Sequence, residues 1–161
     1  MKRKDELLAL PVLNKNNGKR IGSIKNIIFD PENKKIIEFI VKNKSIFNNI
    51  MIIPFKTVSC IGKFSILINL PKHYMDSKTS SRKEQVDSKT IEFTEFKAYS
   101  LQGKEIGKIS NFLMNETTGI IEGFEIAKSL IDDIKYGRSI ITDIEHLHYN
   151  NGTFIFESDN Y

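Results

Sequence analysis

The chain has 161 residues, 40% of them hydrophobic and 27% charged, with a net charge of +4 and one cysteine. That length suits one ordinary domain or two small ones, and the composition is that of a chain able to fill a globular core. One cysteine excludes an internal disulfide and fits a reducing compartment; no apolar run approaches the ~18 residues needed to cross a bilayer, so a cytoplasmic protein without a membrane span is expected.

MKRKDELLALPVL opens the chain. Acidic Asp5 and Glu6 and the early Pro11 separate it from a secretory signal. Residues 1–6 read as a frayed charged end. Leu7 to Leu13 reads as an edge strand or strand start, because proline cannot donate to a ladder. NKNNGK is a turn, and from Ile21 the apolar residues fall at 21, 24, 27 and 29. That spacing is neither strict alternation nor a helical stripe, and it predicts a strand whose facing shifts at a bulge near Lys25. DPENK at 30–34 is a turn in which Asp30 caps its own backbone. Ile36 to Val41 is a buried strand, and IMIIPFKTVSCIGKFSILI reads as strand, short strand, glycine turn and strand.

The same text is then written again. GKRIGSIKNIIFDPENKKIIEF from Gly18 matches GKEIGKISNFLMNETTGIIEGF from Gly103 at a constant offset of 85 positions, with Gly18, Lys19, Ile21, Gly22, Ile24, Asn26, Ile36 and Phe39 meeting identical residues. Two copies are too few for a solenoid and imply a pair of small domains. The second bulge is expected near Ser110 and the second turn at NETTG, where Asn115 replaces Asp30. Gly119 stands where the first copy has Lys34, so the two turns are expected to differ in detail. Ile120 to Ile126 is a strand. KSLIDDIKYGR predicts about two turns of helix, with Ser129 at its start, Asp132 and Asp133 in its first turn and Gly137 at its end. The copies then rejoin at an offset of 89, with Val58 opposite Leu147. KHYMDSKTSSRKEQVDSKT between them is a polar linker. The expected domains are residues 1–72 and 95–161, joined by a linker over 73–94, each small enough to lean on the other or on a second chain as a homo-oligomer.

Charge divides along the same line. Residues 1–71 hold thirteen basic and five acidic side chains, +8, whereas residues 96–161 hold six and ten, −4. Such asymmetry suits an anionic partner of the first half, or docking between halves or chains.

The pattern Gly-Lys-x-Ile-Gly-x-Ile-x-Asn, three apolar residues and Asp-Pro, followed by a strand and Ile-Ile-Pro-Phe, resembles the PRC-barrel domain. The first copy carries the resemblance on Gly18, Gly22, Asp30, Pro31 and Pro54, and the second on Gly103, Gly107, Gly119 and Gly123. It departs at Asn115 and Glu116 and at Thr142 and Asp143, where the prolines are lost. The resemblance implies a mainly β fold of two small, partly open barrels in tandem, about six strands each, with the short helix in the second. It further implies protein contact rather than catalysis, as in the photosynthetic reaction-centre H subunit and a ribosome maturation factor.

Candidate chemistry is sparse. His146 and His148 share a strand face beside an inward Leu147, too few for a metal set of three or four converging ligands. His73 stands in the linker. Cys60, on an apolar strand, reads as a small buried hydrophobe, and no base can be assigned to it. The Gly18 and Gly103 loops lack the spacing of phosphate loops. Lys19, Arg20, Lys25, Lys34 and Lys35 could meet an anionic partner, although no aromatic residues interleave with them for base stacking. The reading is a bacterial, non-enzymatic protein-interaction or adaptor module without catalytic residue, metal or cofactor, its partner a protein. The alternative is an RNA-processing or ribosome-assembly factor using the basic first repeat.

Overall fold

A computed structural model describes residues 1–8, 10–43, 50–70, 90–128 and 139–157. The first half folds as β2 (Pro11–Asn14), β3 (Arg20–Asp30), β4 (Lys35–Lys42), β5 (Ile50–Pro54), a 3-10 turn (Phe55–Thr57), β6 (Val58–Ile61) and β7 (Ile66–Ile68). The second repeats it as β9 (Phe96–Ser100), β10 (Glu105–Met114), β11 (Ile121–Ala127), β12 (Ser139–Ile141), β13 (Leu147–Asn150) and β14 (Thr153–Phe156). Strand order is β5-β4-β3-β2-β7-β6 in one sheet and β12-β11-β10-β9-β14-β13 in the other. The two orders are the same, with six strands to each partly open barrel, and the fold is mainly β as expected.

Local sequence accounts for the shared irregularities. Both long strands slip register where the apolar spacing broke, between Ile24 and Asn26 against β4 and between Ile109 and Asn111 against β11. The bulge lets consecutive apolar residues turn inward on a strongly bent strand, so Ile27 and Phe29, like Phe112 and Met114, are fully buried. Gly22 and Gly107 lie where the neighbouring strand crosses closest. A Cβ there would stand 2.3 Å from the Lys42 carbonyl oxygen or 2.5 Å from that of Ala127, its equivalent. Only glycine admits such an approach. Gly18 and Gly103 close the turns before the long strands, their N–H groups bonding to the carbonyls of Asn14 and Ser100.

What joins the halves was not foreseen. Residues 1–6 are not a frayed end: Lys2–Arg3 form β1, which pairs with β10 of the second half, and Lys4–Leu8 form a helix, α1, that buries Leu7 completely. In return Ile91–Glu92 form β8 and pair with β3 of the first half. Lys2 lies opposite Met114 and Ile91 opposite Phe29, and Met114 and Phe29 are equivalent in the repeat. Each half thus lends its leading segment to the other half's long strand, which is the geometry of a two-fold dimer written into one chain. The local axis passes between Lys35 and Ile120, where Ile36 N–H donates to Gly119 O (2.8 Å) and Ile121 N–H donates to Lys34 O (2.7 Å).

A single hydrophobic cluster runs through both sheets. Phe29 of the first half packs on Phe93, Phe96 and Phe154, with ring centroids 5.7, 6.1 and 6.5 Å away. Ile91, Glu92 and the buried Phe93, within the stretch expected to be linker, are therefore structural. The rest of that stretch to residue 89, including His73, lies outside the described residues, as does the helix expected over 129–137 with Asp132 and Asp133.

Candidate functional site

The duplicated polar residues serve the fold. Asp30 accepts from the N–H groups of Glu32 (2.9 Å) and Asn33 (3.0 Å), and Asn115 accepts from those of Thr117 (3.0 Å) and Thr118 (3.2 Å). Both cap their own turns, as residues of this type do. The turns differ in side-chain detail, Asn33 Nδ2 donating to Asp30 (2.7 Å) in the first and Thr118 Oγ1 accepting from Ile120 N–H (3.3 Å) in the second, but not in backbone: Lys34 takes a left-handed φ of 52°, beside 73° at Gly119. The seam accounts for this strained lysine, since the Lys34 carbonyl must face Ile121 and its ammonium donates to the Glu145 carbonyl at 2.9 Å.

Asn26 and Asn111 hold the exchanged segments. Asn26 donates to Glu92 on β8 (2.6 Å) and Asn111 to Asp5 on α1 (2.9 Å). Beside Asn111, Glu125 is buried and ion-paired to Arg3. Lys4 lies over the Phe93 ring, 4.6 Å from its centroid, and donates to the Ser110 carbonyl at 2.8 Å. Burial holds its ammonium below the usual lysine range, offset in part by Asp5 and Glu95.

The five cations singled out from sequence do not form one patch. Lys19 and Arg20 are exposed at the start of β3 and Lys25 at its bulge, whereas Lys34 and Lys35 follow its far end. At 3.2–3.4 Å per residue, the ten steps along β3 put at most about 30 Å between Lys19 and Arg20 at one end and Lys34 and Lys35 beyond the other, with Lys25 about midway. Lys35 lines the cleft described below. His146 and His148 flank the buried Leu147 on the solvent side, and His148 Nε2 lies 3.0 Å from the Glu157 carboxylate. Among the described residues no three His, Cys, Asp or Glu side chains converge as a metal set would. Cys60 is exposed, not buried as expected. The register slips between Val58 and Cys60 opposite Ile68 and Leu67, and this further bulge breaks the alternation that would have turned the thiol inward.

A concave surface lies along the seam. A cleft of about 570 Å³ is bounded by Lys35 and Glu38 of β4, by Pro54, Phe55 and Lys56 at the β5 corner, and by Thr117 and Thr118 from the second half's turn. Such a volume is within the ~300–1,000 Å³ range of ligand sites. Its floor is held by local contacts. Thr57 Oγ1 donates to the Pro54 carbonyl (2.8 Å), and the Phe55 ring sits edge-on to Phe39 with centroids 5.8 Å apart. The ring also lies against Gly119, where a Cβ would approach it to 2.7 Å. Lys35 and Lys56 are exposed at the rim. The arrangement can hold an apolar group on Phe55 and Val58 with a negative group at the lysines. Sequence reasoning named Lys35 and the Ile-Ile-Pro-Phe segment but not Lys56, Thr117 or Thr118 as site residues, because nothing local brings a turn of one repeat to the corner of the other.

No curated protein matches the chain. Residues 1–73, the first half of the chain, match the family model of the PRC-barrel domain.

Proposed function

We propose that the protein is a non-enzymatic interaction module, two PRC-barrel repeats in tandem over the expected domain limits, which binds a protein partner through the surface where the repeats meet. The observation that carries the reading is the use to which the duplicated residues are put. Gly22 and Gly107 admit a crossing strand, Asp30 and Asn115 cap turns, Asn26 and Asn111 grip exchanged segments. These shared residues serve the fold, and the surfaces that differ between the repeats are the ones available to select a partner. The single cysteine suits a cytoplasmic setting. Light scattering gives the oligomeric state, and affinity capture with the full chain from its own cells, quantified against an unrelated bait, tests the binding; recovery of no protein above the control would end the proposal.

A second reading, an RNA or ribosome-assembly factor, draws on the +8 charge of residues 1–71 and the exposed Lys19 and Arg20. Titration of a fluorescent RNA at several salt concentrations separates the two, because phosphate contacts give a steep salt dependence.

A further inference from the structure

The local two-fold axis allows the seam cleft to be compared with its own counterpart on the other repeat. Around the cleft stand Lys35, Lys56, Thr117, Thr118 and Gly119. At the offset of 85 the matching positions are Ile120 for Lys35, Glu32 for Thr117, Asn33 for Thr118 and Lys34 for Gly119. Val58 and Leu147 hold equivalent ladder places opposite Ile68 and Phe156, which makes Glu145 the match of Lys56. Both differences act in one direction. Gly119 has no side chain and leaves the cleft open, whereas Lys34 reaches across its side of the seam to the Glu145 carbonyl. Charge reverses as well, from Lys35 and Lys56 with one carboxylate, Glu38, in the cleft, to Glu32 and Glu145 on the other side. Duplication supplies two equivalent surfaces, and divergence has made one of them open and basic.

We infer that this cleft binds a short acidic segment of a protein partner, an apolar side chain seated on Phe55 and Val58 and flanking carboxylates at Lys35 and Lys56. The inference rests on the interaction reading and gives it an address. Charge complementarity selects the occupant: an anionic peptide is drawn to the lysines, while the threonine hydroxyls and an apolar floor suit a peptide carrying one large side chain. A basic or uniformly charged peptide satisfies only part of that lining.

The test titrates the isotope-labelled full chain with the pentapeptide Glu-Asp-Phe-Asp-Glu, capped at both ends, and with Lys-Lys-Phe-Lys-Lys, and follows the amide resonances. Shifts from the acidic peptide centred on Lys35, Phe55, Lys56, Thr117 and Thr118 are expected, with about tenfold weaker binding in both K35E/K56E and the milder K35Q/K56Q. E32K/E145K, on the matching side, should bind as the unchanged protein does. No shifts at millimolar peptide, equal shifts with the basic peptide, or unaltered binding by both lysine variants would overturn the assignment. In affinity capture, a partner recovered equally by the unchanged chain and K35E/K56E would leave the interaction reading standing and remove the cleft from it; recovery by neither would remove both.

Discussion

Replacing Gly22 with alanine tests the framework where it is tightest. The added Cβ would meet the Lys42 carbonyl oxygen at 2.3 Å and Val41 Cγ1 at 2.9 Å. A carbon settles against a carbonyl oxygen at about 3.3–3.6 Å, so β4 must withdraw from β3 by about 1 Å. Withdrawal weakens the ladder where Ser23 faces Lys42 and Ile24 faces Val41, at a combined cost of about 1 kcal/mol, since the hydrogen bonds there are stretched and not lost. It also disturbs the fully buried Val41, an overpacking cost of about 1–3 kcal/mol. The expected loss is about 2–4 kcal/mol. Gly18→Ala is the control, for its φ is 68° but an added Cβ meets nothing within 4 Å, leaving only left-handed strain of about 1 kcal/mol. In urea, with a slope of about 2 kcal/mol/M, the midpoint should fall by about 1–2 M for G22A and by about 0.5 M for G18A. A G22A shift no greater than that of G18A would refute the reasoning. Gly107→Ala, whose Cβ would lie 2.5 Å from the Ala127 carbonyl oxygen at a φ of 147°, should lose at least as much as G22A.

Three further outcomes follow from the exchanged segments and the bulge at Cys60. Arg3→Ala removes the charged partner of the buried Glu125 carboxylate, leaving Asn111 as a neutral donor, and should lose about 2 kcal/mol in the same urea assay, whereas R3A/E125I, which installs the residue found at the matching Ile40, should recover most of it; equal losses in both would show that the ion pair is not what matters. Lys4 has its pKa lowered by burial from an ordinary 10.5, so between the folded value and 10.5 the folded state has released a proton that the unfolded chain still holds, and stability rises with pH across that window. Wild type should gain on Lys4→Met as pH climbs toward 10.5, and parallel pH profiles would contradict the assignment. Cys60 should react with one equivalent of a thiol reagent in the native protein without denaturant, since it is exposed; reaction only on unfolding would place it back in the core.

Much of each barrel was legible in the chain because its signals are local. A break in apolar spacing marked the bulges at Lys25 and Ser110, Asp30 and Asn115 announced turns they close with their own side chains, and the offset of 85 foretold two sheets of one topology. The misreadings have one cause. Cys60 was expected to be buried and residues 1–6 to fray, and in each case a distant segment or a neighbouring strand's register overrode the local preference.

By itself the amino-acid sequence determined two copies of a bent β framework, because hydrophobic spacing, turn chemistry and glycine placement act over a few residues and need no partner. Only the tertiary structure decided that the copies trade their two-residue leading strands, bury one aromatic cluster between them and leave a basic cleft open on one side of their axis. Segments as short as Lys2–Arg3 and Ile91–Glu92 carry no periodicity of their own; their conformation is set by the unpaired strand edge they meet, and that meeting is a property of the folded chain.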